Sequence, residues 1–473
     1  MLHVMKRIPA RSFHLFLIWL MALPGITAGQ STSSENGVAL LKSTQQNNTI
    51  VASVSSALAA YVDPIQGTSS SDLIRRALTS NAELAAVRLD VERARARLQQ
   101  SGLRPNPTID FEQTTGRLTG SAGERETSIG FLLPLDVSGQ RKRRVELART
   151  ELEAVEAEVA DRERRLVAEV RAAHAEVLAA LRELEITEEL TNVDQQTARV
   201  VEVRVTEGDS APIELNLLRS EIDRLRSRRA LVEGRLQASL FRLKNLSGMA
   251  HSESLRLSES LNAQLITDPP QSVEAAVDIA LRTRPDLKFA RLNEEVAQAG
   301  MRLVRAQGKP EVTAFTRYTN NSAVFDNTPA GVLRDKDRLL TFGVSIGIPL
   351  FNRNQGAKAE AEAAILQARK RREFAESLVR AEVASAYARY EAAKKSLEIF
   401  EEGVLERSRQ NIRTVRGAYE IGEFRVTDLL VEQRRFIDSQ REFIEALAEQ
   451  YRALADLQAA MGIPTSPDPK QNK

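Results

Sequence analysis

Few residues in this sequence are spaced for chemistry. Of the four histidines, His3 and His14 fall in an N-terminal apolar segment, His174 in a helical stretch and His251 in a Ser/His/Glu connection. None stands at metal-ligand spacing from other His, Asp or Glu residues, so no metal cage is expected. His174 is expected to pack or to face solvent. Gly308-Lys309 lacks the rest of a phosphate-binding loop. Cysteine is absent, which excludes disulfides, thiolate-bound zinc and thiol catalysis, and leaves no cysteine for a lipid anchor. No catalytic constellation emerges, so the chain reads as non-enzymatic and without a cofactor. What remains is a pair of acids, Glu214 after Gly208 and Asp428 after Gly422, each just beyond a glycine turn. A ring of such carboxylates around a narrow opening would concentrate cations and repel anions. A solitary acid there would stabilise the first turn of its helix through the macrodipole.

The elements that hold these acids are written twice. Ala77-Leu78 with Asn81-Ala82-Glu83-Leu84 recurs as Ala280-Leu281 with Arg284-Pro285-Asp286-Leu287. Leu133-Pro134-Leu135 recurs as Ile348-Pro349-Leu350, Glu169-Val170 as Glu382-Val383, and Gly208 with Glu214-Leu215 as Gly422 with Asp428-Leu429. Matches in one order at nearly constant separation mark a duplicated unit. The expected organisation is a signal peptide over 1–29 and an extension or linker over 30–71. The first unit covers 72–250, a connection 251–272, the second unit 273–463 and a disordered tail 464–473.

Each unit predicts a helix (72–103 and 273–307), two short extended stretches, a very long helix (139–206 and 354–421), a glycine turn and a returning helix. Apolar residues step by three and four along the long helices, as in Leu166, Val170, Ala173, Val177, Leu181 and Leu184. Ala361, Ala364, Ala368 and Ala375 place small residues on the second stripe. A helix of about 68 residues is about 100 Å long, and the returning helix covers about half of it. The opening helix is expected to complete the return, giving one continuous rod beside one assembled from two pieces.

The extended stretches alternate. Leu340, Phe342, Val344, Ile346 and Ile348 interleave with Thr341, Gly343, Ser345 and Gly347, a lipid-facing row opposed to a small polar one. The stretch 312–320 is similar, with Phe315 and Tyr318 as candidate interface aromatics. The stretches 108–114 and 127–133 form a weaker pair, and loops are expected over 116–125 and 320–337. Four strands cannot close a barrel, and an open sheet in lipid leaves backbone groups unpaired. Copies must therefore pool their strands, two reaching eight and three twelve.

At the N-terminus Lys6, Arg7 and Arg11 precede the apolar run 13–23, Pro24, and the small residues Ala28 and Gly29, the order of a secretory signal. Aromatics are only 5% of the chain and net charge is +2, which suits long helices and gives no basic footprint for nucleic acid. The basic run 141–144 opens a helix and equally suits a membrane-proximal collar.

Over 72–462 the pattern resembles the TolC-like outer-membrane efflux family, through its duplicated Ala-Leu helix starts, the prolines closing its strand pairs and its Gly-x5-Glu/Asp-Leu turns. The resemblance implies a mainly α fold with membrane β: a trimeric 12-stranded outer-membrane β-barrel in outer-membrane lipid, continued by a long periplasmic α-helical barrel. It implies a homotrimer working with a periplasmic adaptor (membrane fusion) protein and a proton-driven inner-membrane pump, as the exit duct of a tripartite efflux system for metal cations or drugs. Ser138-Gly139-Gln140-Arg141 is similar to the heavy-metal cation branch. Carried over, the turns at Gly208 and Gly422 become helix tips at a periplasmic gate. Glu214, Asp428, Tyr419, Phe424 and Arg425 become the residues of its mouth. Tyr419 matches a tyrosine that links neighbouring helix pairs, and Phe424 stands where well-known members carry an arginine. Pro105, Pro134, Pro310 and Pro349 mark the barrel–tunnel junction. A secreted or periplasmic coiled-coil scaffold or adhesin without a pore is the competing reading.

Overall fold

The computed structural model describes residues 58–116, 124–259, 261, 270–329 and 331–463. The expected signal segment 1–29 and tail 464–473 lie outside them. The first half runs α1 (Ser70–Ser80), α2 (Ala82–Ser101), β1 (Thr108–Thr115), β2 (Arg125–Leu135), α3 (Gln140–Glu207) and α4 (Pro212–Leu246). The second half repeats the order: α5 (Val273–Thr283), α6 (Pro285–Gln307), β3 (Glu311–Thr328), β4 (Gly331–Gly347), α7 (Gln355–Ile399), α8 (Leu405–Glu420) and α9 (Val426–Met461).

Where one opening helix is predicted in each half, two stand. Asn81 leaves helical geometry (ψ 123°); its side-chain oxygen accepts the Leu84 N–H at 2.9 Å and its amide donates to the Leu246 carbonyl at 3.0 Å. The repeat partner Arg284 breaks at the same place (ψ 124°) because Pro285 bars the helical region to the residue before it. The repeated sequence read as a helix start is therefore a helix break with a new N-terminus.

Ion pairs along α3 measure how the return rod is assembled. Glu156 pairs with Arg95 and Arg162 with Glu83, both on α2; further along, Glu176 pairs with Arg242 and Glu202 with Arg219, both on α4. Thus α2 and α4 lie end to end beside α3, meeting at Asn81 and Leu246. The second half does the same: Arg372 pairs with Glu294 on α6 and Arg389 with Glu449 on α9. Arg284, at its junction, is buried and pairs with Asp286 at 2.5 Å and Glu382 at 2.7 Å, while donating to the Ala460 carbonyl at 3.2 Å.

The predicted stripe is the core. Leu166, Val170, Ala173, Val177, Leu181 and Leu184 of α3 are buried together with Leu236 and Leu243 of α4. Each of these buried leucines and valines contributes about 1.5–3 kcal/mol. On α7, by contrast, the second stripe is only partly covered within one chain: Ala361, Ala368 and Ala375 are half-buried and Ala364 is exposed, as are Leu366 and Phe374 beside them.

The rod of α7 and α8 is continuous through a π turn, Phe400–Val404, whose flanking residues keep helical φ and ψ. One residue more separates Glu382 from Gly422 than Glu169 from Gly208. A π turn absorbs one extra residue without ending a helix.

The end of the expected loose extension, residues 58–69, is also ordered. Val62 and Thr68 bridge to Leu257 in the connection between halves, and Leu58, Tyr61 and Val62 pack on the core.

The four strands form one antiparallel sheet in the order β1-β2-β3-β4. The expected loop over 320–337 is mostly strand. β3 and β4 pair out to Thr328 and Gly331, well past β1 and β2, whose outermost pair is Thr115 with Arg125.

Candidate functional site

At the end of the rods remote from the sheet lie the two glycine turns. Gly208 has φ +87° and Gly422 φ +82°, a region glycine enters without steric cost. The turns close alike: the Asp209 N–H donates to the Arg204 carbonyl at 2.8 Å, and the Glu423 N–H to the Ala418 carbonyl at 2.9 Å. Each leads into a returning helix whose third residue is the acid, Glu214 after Ala211 and Asp428 after Arg425.

These acids differ in use. Asp428 Oδ2 accepts the Arg425 backbone N–H at 3.0 Å, so the capping role left open by the sequence is made by geometry here. The Glu214 side chain makes no cap bond. Its charge acts on Tyr419, whose hydroxyl is pushed above its usual pKa by burial first and by Glu214 second, with Arg204 opposing. Tyr419 is 7% exposed and its hydroxyl finds no hydrogen-bond partner. Its ring sits in a core shared by both hairpins: Val201, Leu215 and Leu218 from the first, Ile412, Val426 and Leu429 from the second. Arg204 adds a bond to the Glu420 carbonyl at 3.4 Å. The structure therefore brings Glu214, Tyr419 and Arg204 together where the two helix pairs of one chain meet. Phe424 and Arg425 stand exposed beside the second turn.

One group of tip residues was missed by sequence reasoning. Asp194 on α3 is 3% exposed and accepts from Gln433 Nε2 on α9 at 2.8 Å. Glu221 on α4, also buried, accepts from Arg224 at 3.1 Å and Arg434 at 2.9 Å. Burial foremost, with Glu221 adding, pushes the Asp194 carboxyl up to about 6, against the Gln433 bond and Arg416. The available signal was an acid and an amide at positions where the helical stripe calls for apolar residues.

At the other end, cross-strand register sorts the sheet into two faces. Ile109, Phe131, Thr316 and Phe342 form one row and Phe111, Ile129, Tyr318 and Leu340 the next, all on one side. Most of these apolar residues are exposed, Phe342 at 73% and Ile109 at 72%. The opposite side is mostly polar. There Asp110 pairs with Arg317 at 2.8 Å across β2, and the Phe315 ring covers Gly343, where an added Cβ would come within 2.4 Å. Phe315 thus lies on the polar face and is not an interface aromatic; Tyr318, three positions on, lies on the apolar one.

Pro105 and Pro310 precede β1 and β3, Pro349 follows β4, and Pro134 lies in β2 opposite Thr313. Pro134 is two residues past the last β1 pair, Thr108 with Leu132, where β2 has a single neighbour and a missing N–H is tolerated. All four stand at the end of the sheet that joins the helices. Asp136 accepts the Gln140 and Arg141 N–H groups at 2.7 and 2.9 Å, which fixes the start of α3 there.

His174 is fully buried, with the Glu259 carboxylate 3.6 Å from Nε2 and the Tyr451 ring beside it. Burial lowers its pKa to about 4, so it packs as a neutral ring. Among the described residues no group of three His, Asp or Glu is placed to hold a metal ion.

The profile of the family described as "Outer membrane efflux protein" matches residues 73–249 and 276–463. The cation efflux system protein CusC of Escherichia coli O157:H7 is 28% identical over 294 residues, 60% of this chain and 62% of CusC. The chain thus spans about three-fifths of that relative's length. The cobalt-zinc-cadmium resistance protein CzcC of Cupriavidus metallidurans is 22% identical over 369 residues, 76% of this chain and 82% of CzcC. Among solved structures, CusC superposes with a TM-score of 0.68 at 23% identity, covering 82% of this chain and 91% of that one. The open state of the Neisseria gonorrhoeae MtrE outer membrane channel gives 0.68 at 20% identity, covering 83% and 88%. At these identities the superpositions establish the fold.

Proposed function

The chain belongs to the outer membrane efflux protein family, and from that premise we propose that three copies form a passive exit duct for metal cations across the outer membrane and periplasm. The family is one of channels, and the chain sits in the outer membrane with a large periplasmic helical portion. The observation that carries the duct reading is the unfinished sheet. It exposes an apolar face and ends in two edge strands, β1 and β4, whose unpaired groups lipid would not satisfy. Pairing β1 of one copy with β4 of the next closes twelve strands, with the polar face lining the lumen. The uncovered Leu366 and Phe374 of α7 suit the same neighbours. Energy comes from an inner-membrane pump reached through a periplasmic adaptor.

The names of the relatives favour metal cations as cargo, and the charge of the polar face agrees. Asp110, Glu112, Glu126, Asp335 and Asp337 lie on it with Arg317 as the one base among its described side chains. At the far mouth, Glu214 and Asp428 would add carboxylates from each copy, with Tyr419 joining the helix pairs. The test is conductance of the purified protein in neutral planar bilayers. The reading expects a cation-selective current; an anion-selective pore, or none from assembled protein, counts against it.

A further inference from the structure

The bases of the sheet are segregated from its acids. Every described carboxylate on the four strands lies on the lumen-side face, whereas four of the five bases lie on the apolar, outward side. Those four are stacked directly beyond the apolar rows. Past the row that ends in Tyr318 and Leu340 comes Arg338, then Lys336 level with Arg125, then Arg334. Successive rows are about 6.6 Å apart, and the remaining described partners in them are uncharged apart from these bases. All four bases are exposed, and no described carboxylate pairs with any of them.

Their depth follows from the direction of the chain. The helices join the sheet at its Pro134 and Pro310 end, so the rows of bases lie at the end facing away from the periplasm. From Leu340 to Ile348, one residue past the end of β4, the apolar row covers about 26 Å, or about 20 Å of height at the tilt of a barrel strand. The first base then emerges where hydrocarbon gives way to headgroups of the outer leaflet, with Tyr318 at the boundary. Exposed bases at that depth cost desolvation unless anions meet them, and no described side chain of the sheet offers one on that side.

We propose that Arg125, Arg334, Lys336 and Arg338 form a phosphate-binding collar around the outer rim of the barrel, taking the phosphate groups of a phosphorylated glycolipid in the outer leaflet. In a closed trimer the set is repeated three times around the wall. Guanidinium groups bind phosphate through paired N–H donors, and the row spacing lets neighbouring bases share one diphosphorylated headgroup.

The experiment is native mass spectrometry of the detergent-purified full-length oligomer, titrated with lipid A or with its dephosphorylated form. The wild-type protein should retain lipid A and release the dephosphorylated lipid. The triple variant Arg334→Gln/Lys336→Gln/Arg338→Gln should lower lipid A retention about tenfold. A control, Asp335→Asn/Asp337→Asn on the opposite face, should retain it. Equal retention by the triple variant, or equal binding of the dephosphorylated lipid by wild type, overturns the collar. If the triple variant does not assemble, the wild-type comparison of the two lipids decides. Conductance of the triple variant in neutral bilayers should be preserved, so failure of the collar and failure of the duct give different results.

Discussion

Asp110 on β1 reaches across β2 to Arg317 on β3, carboxylate to guanidinium at 2.8 Å, and it passes over Gly130, which register places between them. A Cβ on Gly130 would stand 2.0 Å from Asp110 Oδ1. Glycine here is a matter of room for a neighbour's side chain, because its own φ is ordinary. The pair ties three strands together on the polar face.

Gly130→Val should therefore destabilise the sheet by about 1–3 kcal/mol, the usual cost of overpacking. Asp110→Asn, which removes a partly exposed ion pair without a clash, should cost under about 1 kcal/mol. Heat-dependent gel shift of the assembled protein reads both. A Gly130→Val protein as stable as Asp110→Asn would show that the crossing contact is not tight.

The two helix breaks occupy equivalent places and use different chemistry. Asn81 is a neutral cap, so Asn81→Ala should cost about 1 kcal/mol. Arg284 is a buried cation between two carboxylates, and Arg284→Ala strands Asp286 in the junction, at a cost of about 3–5 kcal/mol. Denaturant midpoints of the two variants compare them directly; equal losses would contradict the assignment.

The tip should respond to pH through Asp194. Its folded carboxyl keeps a proton up to about 6, while in the unfolded chain it ionises near 3.8. Between those values the folded state binds more protons, so tip stability falls as pH rises and levels off above about 6. The full difference is about 3 kcal/mol. Asp194→Asn should abolish this dependence and protect the tip at pH 8, because the added amide can also serve the orphaned Gln433 Oε1. Hydrogen exchange of 194–201 and 426–433 at pH 5 and pH 8 measures it; identical slopes in variant and wild type would remove Asp194 from the account.

Asp428 separates cap from charge. Asp428→Asn keeps an oxygen for the Arg425 N–H and loses the charge, so the helix should hold while the cation-over-anion permeability ratio falls about twofold or more. Asp428→Ala should lose both, with about 1 kcal/mol of helix stability. Reversal potentials in a salt gradient give the ratio; an unchanged ratio in both variants leaves Asp428 as a cap alone.

The sequence made the duplication, the core stripe and the two-faced β4 legible because each is a periodic signal on one chain. It hid the helix breaks, since the apolar period runs through Asn81 and Arg284 while only a cap and a proline mark the interruption. It hid the outer half of the β3–β4 hairpin for a related reason: from 334 to 338 both faces carry charge, so hydropathy stops alternating although the backbone continues. The π turn left a trace of one extra residue. Of the residues proposed for the mouth, motif reading placed the turns and the acids at the helix tips, but whether an acid caps a helix or faces a neighbour depends on side-chain direction, which spacing does not carry.

Closure of the sheet by other copies is open to direct test because the sequence has no native cysteine. Glu112→Cys on β1 can be combined in turn with Asp337→Cys, Leu339→Cys or Thr341→Cys on β4 in the full-length protein in its outer membrane. Within one chain these edges are three strand spacings apart, about 14 Å, too far for a disulfide. Closure predicts that at least one combination oxidises to a covalent trimer on a non-reducing gel. Monomer alone from every combination, in protein that reaches the outer membrane, would contradict it.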